Sequence, residues 1–326
     1  MKPPYTLTPG ILTLIVSVSE RLGELKASAV YKSSPQLRKQ NRIKTIQASL
    51  SIEGNTLSKE QITALVENKR VIGPQKDIQE VQNAIQVYEA LRSYKATSSK
   101  SFLAAHQLLM KGLLPDAGKY RRGNVGIMKG AEVSHIAPAS SNVPHLMSDL
   151  FQYVEQSEDS ILIKSCVFHY EMEFIHPFMD GNRRMGRLWQ TVILLSQYPV
   201  FEYLPFESLV SETQQDYYKA LAGSDKQGQS TIFIEYMLNV LDKALQELLS
   251  QKNQAVTLEE RLNHFIKTLP GEFARKDYLR VFKEISTATA SRDLREGVIR
   301  GLLEKIGTKK NSRYRVKEVQ YSSKVN

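Results

Sequence analysis

Cysteine is almost missing from this chain of 326 residues: Cys166 stands alone. That excludes an internal disulfide framework and suits a reducing, cytoplasmic setting. Cys166 lies in the apolar stretch Ile161–Phe168, which reads as a buried structural thiol rather than a nucleophile. Long apolar runs are missing as well. Val192–Leu195 is typical of those present, far too short to span a bilayer. The N-terminal stretch carries only Lys2 ahead of an apolar segment that Ser17 and Ser19 interrupt, so a secretory signal is not expected. Internal repeats and low-complexity segments are also absent.

What remains is the composition of an ordinary globular protein, 41% hydrophobic and 24% charged, with length for two or three domains. The net charge of +10 is uneven: residues 271–326 hold 14 Lys and Arg against 7 Asp and Glu. The basic character therefore belongs mainly to the C-terminal segment.

Most of the chain reads as helix. Leu37, Ile43, Ile46 and Leu50 recur at helical spacing between Gln36 and Glu53, and Gly54-Asn55 supplies a stop. Further helices are expected from Lys76 into the nineties, over Phe102–Leu114, from Pro144, over Ser160–Phe174, and after a break at Ile175–Asn182. Met185, Leu188, Val192 and Leu195 form the buried stripe of the last, with Trp189 also in the core. Tyr120–Pro138 differs: its glycines and the alternation of Val125, Ile127, Val133 and Ile136 predict a short β-hairpin. Gln251–Gln254 reads as a linker.

The break between the two central helices runs from His176 to Arg187 through Pro177, Phe178, Met179, Asp180, Gly181, Asn182, Arg183, Arg184, Met185 and Gly186. A helix starting near Asn182 behind a glycine presents unpaired N–H groups and a positive dipole end, an anion site. Arg184 and Arg187, three apart, share a face and can reach the outer phosphates of a nucleotide. Asp180 is a hard oxygen ligand suited to Mg²⁺ bridging two phosphates. His176 is the group there whose ordinary pKa suits taking a proton at neutral pH. Phe178 is expected to pin the loop into the core.

This stretch resembles the Fic family, whose pattern is H-x-F-x-(D/E)-G-N-(G/K)-R-x-x-R. The resemblance implies a mainly α fold and transfer of AMP from ATP. His176 would deprotonate a protein Ser, Thr or Tyr hydroxyl, and Asp180 would hold Mg²⁺. Gly181 and Asn182 would line the hole for the α- and β-phosphates, and Arg184 and Arg187 would bind the β- and γ-phosphates. Arg183 departs from the pattern, where glycine or lysine is usual; it either turns to solvent or adds a cation near the phosphates. Phosphoryl or other nucleotidyl transfer therefore stays open, as does a regulator whose core only senses nucleotide.

Upstream, Ser49 and Glu53 lie four apart at a helix end, and the stretch Ser49–Asn55 is similar to the Fic inhibitory motif (S/T)-x-x-x-E-(G/N). The resemblance implies that Glu53 pairs with Arg187 and blocks the γ-phosphate. The segment Gly126–Ile136, with Ile127, Met128, Val133 and His135, fits the family's target-docking flap, an edge hairpin that aligns the target by strand addition. The stretches Glu207–Leu209 and Gln215–Tyr218 resemble the family's segment that helps enclose the adenosine, which implies stacking of Tyr217 or Tyr218 on adenine, with core packing at least an equal reading for the tyrosines. A homodimer that modulates inhibition is common in the family.

Residues 272–316 read as a winged helix. Arg275–Glu284 and Ala288–Arg300 are its helix–turn–helix, the second with Leu294, Val298 and Ile299 facing inward. Leu302–Val316 is its hairpin. Arg292 and Arg295 would enter a DNA groove, and Lys309, Lys310 and Arg313 at the hairpin tip would touch phosphates; docking of a protein is the equal alternative. The expected organisation is an N-terminal helical region over 1–95 carrying the inhibitory motif, a catalytic core over 96–250, and the winged helix over 251–326.

Overall fold

The computed structural model describes residues 2–27, 35–129, 132–253, 258–268, 271–282, 285–307 and 312–317. They divide into two compact units, residues 1–249 and 250–326.

The first unit opens with α1 (Pro9–Ala27), whose entry Thr8 caps by accepting the Ile11 N–H at 3.1 Å. Next, α2 (Pro35–Ser51) buries Ile43, Ile46 and Leu50. It stops where Gly54 takes φ +89° and the Asn55 N–H returns to the Leu50 carbonyl at 3.1 Å. Then comes α3 (Lys59–Val66), a helix the periodicity did not reveal. Its signal is a capping box: the Gln61 N–H donates to Ser58 Oγ at 3.3 Å and the Ser58 N–H to Gln61 Oε1 at 2.8 Å. After α4 (Gln75–Glu89), α5 (Ser99–Leu109) ends five residues short of the expected Leu114. Asn83 of α4 holds that end, its Nδ2 donating to the carbonyls of Leu109 and Lys111 at 3.0 and 2.8 Å.

The expected hairpin is β1 (Gly126–Lys129) and β2 (Glu132–Ile136), antiparallel, with Ile127 opposite His135 and Met128 opposite Val133. It is followed by α6 (Val143–Gln156), α7 (Ile161–Ile175), α8 (Asn182–Leu195), α9 (Phe206–Glu212), α10 (Gln214–Gln227) and α11 (Thr231–Asn253). Gln251–Asn253, read from the sequence as linker, continues α11; Gln254 lies outside the described residues. The pairing of Arg21 with Asp242 at 2.7 Å docks α1 on α11.

Helices α7 and α8 form the centre. Every residue of α8 from Arg184 to Leu194 is buried, as in a helix enclosed on all sides. Gly186 permits the close pairing, since a Cβ there would lie 2.6 Å from His169 Cδ2 and 2.9 Å from Glu173 Oε1. Cys166, Met185, Trp189 and Phe178 are buried in this core. Phe178 stacks on Phe102 at 5.3 Å, and Phe102 meets Trp189 edge-on at 5.0 Å. Burying that phenyl ring contributes roughly 2–3 kcal/mol and anchors the loop between α7 and α8.

The second unit contains α12 (Leu258–Thr268), β3 (Glu272–Ala274), α13 (Arg275–Val281), α14 (Thr287–Ile299), β4 (Leu303–Ile306) and β5 (Arg313–Val316), with an antiparallel sheet ordered β3-β5-β4. Its core is Leu262, Phe265, Phe273, Tyr278, Ala290, Leu294 and Leu303. A buried pair, Arg261 Nε on Asp293 Oδ2 at 2.6 Å, ties α12 to α14. Ile299, expected to face inward, is instead 67% exposed. It sits at the last turn of α14, one step beyond Val298, on the face that leaves the core. Among the described residues no helix is long and apolar enough to cross a membrane.

Candidate active site

The site is built where α7 ends and α8 begins. His176 caps α7 in the left-handed region, φ 50° and ψ 62°, a conformation that costs a non-glycine residue about 1–2 kcal/mol. Arg121 holds it there. Its guanidinium, on a side chain almost wholly buried, donates to the carbonyls of His176 at 2.8 Å and Ile175 at 3.3 Å. It also donates to Gly123 at 2.8 Å and Pro138 at 2.5 Å. A cation at the negative end of α7 thus binds the loop to both ends of the β1–β2 hairpin.

Across the loop, Gly181 is the N-cap of α8 at φ 83°. The N–H groups of the first turn of a helix have no intrahelical acceptor. Two features hold this end. Asn182 clamps the loop with its side chain: its Oδ1 accepts the Phe178 N–H and its Nδ2 donates to the Phe178 carbonyl, both at 2.9 Å. Asn182 thus commits its Oδ1 and one Nδ2–H to the loop backbone. His106 of α5 accepts the Gly118 N–H on Nδ1 at 2.8 Å, which fixes its tautomer and leaves Nε2–H to donate to the Asp180 carbonyl at 3.0 Å. It lies flat on Phe178 at 3.5 Å, and burial pushes its pKa down to about 4. Gly181→Ala should destabilise the protein by about 1–3 kcal/mol, from the positive φ and a Cβ 2.8 Å from Met110 Sδ, and lower Tm by several degrees in thermal denaturation. An unchanged Tm would show that the loop relaxes freely.

Asp180 points outward, its side chain 60% exposed, while its Oδ1 accepts the Gly181 N–H at 2.5 Å. Arg184, on the buried side, joins Asp180 Oδ1 at 3.4 Å to Glu80 Oε1 at 3.1 Å. Glu80 in turn accepts from Asn55 Nδ2 at 2.9 Å, linking the turn after α2 to this ion pair. Among the described residues no group of three or more His, Cys, Asp or Glu side chains could hold a metal by itself. A lone exposed carboxylate beside an anion site fits Mg²⁺, which binds through one or two carboxylates and substrate phosphates.

Arg187 is completely buried. It donates from Nε to Ser49 Oγ at 3.1 Å and from one terminal nitrogen to the Ser49 carbonyl and to Glu53 Oε1, both at 2.9 Å. The other carboxylate oxygen of Glu53 lies 3.7 Å from Arg183, whose guanidinium sits 5.1 Å over the Tyr218 ring. Glu53 thus sits between two arginines of α8.

Tyr217 is in the core, not on an open face: it is fully buried and its hydroxyl meets His169 Nε2 at 3.1 Å. Glu207 is buried as well, 3.3 Å from the Tyr88 hydroxyl, and burial raises its pKa to about 7. Glu173, one turn before His176, is likewise raised to about 7, chiefly by burial. Arg292 and Arg295 are exposed on α14, and Arg313 is exposed on β5, 3.9 Å from Glu272. Lys309 and Lys310 lie outside the described residues. The sequence reading missed Arg121, His106, Asn83 and Glu80. The signal it had for His106 and Glu80 was a polar side chain on an otherwise apolar helix face.

The sequence pattern of the Fic/DOC family matches residues 96–194. A crystal structure of a Fic family protein from Desulfovibrio desulfuricans G20 is 41% identical with a TM-score of 0.77, over 98% of this chain and 99% of that one. The chain belongs to the Fic family. Fic-1 from C. elegans shares the fold at 20% identity and TM-score 0.63, over 75% of this chain and 73% of that one. Curated relatives named protein adenylyltransferase Fic are 24% identical over 67% of this chain in Drosophila erecta and 26% identical over 62% in Nematostella vectensis. The chain spans only 44% and 47% of their respective lengths. The loop from His176 to Arg187 lies within the span that the family pattern matches.

Proposed function

We propose that this chain is a protein adenylyltransferase that moves AMP from Mg-ATP to a Ser, Thr or Tyr hydroxyl of a protein, held at rest by Glu53. The observation that carries the reading is the succession of His176, exposed Asp180 and the N-terminus of α8 along the α7–α8 loop, with the buried cations Arg184 and Arg187 in the first turns of α8. His176 takes the hydroxyl proton, the oxygen forms a bond to the α-phosphorus, and the bond from that phosphorus to the bridging oxygen breaks to release pyrophosphate. The α8 N-terminus and the arginines stabilise the negative charge on the phosphates. Mg²⁺ would be held by Asp180 and would supply further charge neutralisation. The β1–β2 hairpin, tied to the loop by Arg121, is suited to align a target segment by strand addition.

The test uses the full-length Glu53→Gly protein with Mg²⁺ and ATP labelled at the α or the γ position. Protein-bound α label is expected. Label from the γ position alone would replace the proposal with phosphoryl transfer. No label in either case would favour a nucleotide-sensing regulator.

We infer further that the second unit docks on DNA, because α14 turns Arg292 and Arg295 to solvent while Asp293 and Leu294 between them are buried. Changing both arginines to alanine in the full chain should weaken binding to a fluorescent duplex about tenfold or more and flatten its salt dependence. A parent protein that does not bind duplex at low salt would remove this role and leave protein docking.

A further inference from the structure

Arg183 stands where Fic proteins usually carry glycine or lysine, and the proposed chemistry gives it no task. Three observations do. Its guanidinium faces the Glu53 oxygen that Arg187 does not take, 3.7 Å away. The same guanidinium lies over the ring of Tyr218 at 5.1 Å, a platform that limits where it can point. Tyr218 is itself tied back to the inhibitory turn: Gln214 Nε2 donates to the Tyr218 hydroxyl at 3.2 Å and to the Ile52 carbonyl, next to Glu53, at 3.0 Å. Ser51 and Ser211 add a hydroxyl contact at 3.3 Å on the same seam. The end of α2 is thus gripped from α8 and from α9–α10 together.

We propose that Arg183 is the second arm of a clamp on Glu53, aimed by Tyr218 and braced through Gln214, so that this departure from the family pattern tightens the resting state. The proposal rests on Glu53 being the inhibitory group. Both carboxylate oxygens are engaged by cations, so a γ-phosphate must displace two ion pairs rather than one to reach Arg187. Arg183 is partly exposed and its ion pair is longer, so it is the weaker arm and the one from which release begins. Movement of α10 relative to α8 would shift Tyr218 and loosen this arm without touching Arg187.

The experiment is a double-mutant cycle on the full chain, reading the initial rate of α-label transfer from Mg-ATP for the parent, Arg183→Gln, Glu53→Gly and the double variant. Arg183→Gln should raise the rate about three- to tenfold, the worth of a part-exposed ion pair with a cation–π contact. In the Glu53→Gly background the same change should give no gain. Tyr218→Leu, which removes the platform but keeps apolar bulk, should move the parent rate in the same direction. The proposal is overturned if Glu53→Gly is strongly activated while Arg183→Gln equals or falls below the parent. It is also overturned if Arg183→Gln raises the rate equally in both backgrounds. A Glu53→Gly protein with no gain of its own would instead strike down the inhibitory reading, and is told apart by that one measurement.

Discussion

Glu53→Gly should raise the initial rate of AMP transfer roughly 10- to 100-fold at fixed ATP, the value of about one strong charge-assisted hydrogen bond. The reason lies in Arg187, which is fully buried and gives its Nε and one terminal nitrogen to Ser49 and Glu53. A phosphate arriving at this guanidinium competes with a carboxylate already in contact and only 18% exposed in its side chain. Removing the carboxylate leaves a buried cation short of a partner, which raises its affinity for the incoming anion. The same loss should destabilise the nucleotide-free protein, because breaking a buried pair costs about 3 kcal/mol or more. The expected signature is therefore a lower Tm without ATP, together with a larger thermal upshift on adding Mg-ATP. Transfer assays and thermal denaturation on the same preparation check both halves. Equal rates in variant and parent would end the inhibitory assignment.

The parts of this site that were legible in the sequence are those whose geometry is local. The turn from Pro177 to Asn182 needs a glycine at φ 83°, and a helix behind it follows from the periodic apolar residues, so the turn and the start of α8 could be read before any fold was known. The end of α2 was legible for the same reason, with Gly54 at φ +89°. What was not legible depends on partners distant in sequence. Arg121 has the sequence appearance of a surface residue in a basic stretch, yet it is almost completely buried against four carbonyls. His106 looks like one polar residue on the apolar face of α5, and only the meeting of α5 with the loop shows that it positions Asp180. Arg183 could be recognised as an exception but not explained, because Glu53 approaches it from the turn after α2 and Tyr218 from α10. Ile299 was misplaced because apolar character alone does not say where the face of a short helix leaves the core.

His176→Ala, made in the Glu53→Gly background so that the parent rate is measurable, should lower transfer about 10²- to 10⁴-fold, the usual worth of a positioned general base. One objection is that the residue also shapes the backbone, since it occupies φ 50° at the end of α7. Its carbonyl, however, is held by Arg121 at 2.8 Å and its N–H bonds to the Met172 carbonyl at 3.0 Å, so the fold constrains the turn from both sides. His176→Asn separates the two roles. Asparagine enters the left-handed region more readily than alanine but has no basic nitrogen near neutral pH. If the imidazole is the base, both variants should be equally inactive while still giving a thermal upshift with Mg-ATP. An asparagine variant that recovers most of the rate would mean that this position serves the loop's shape, and that the target hydroxyl loses its proton elsewhere.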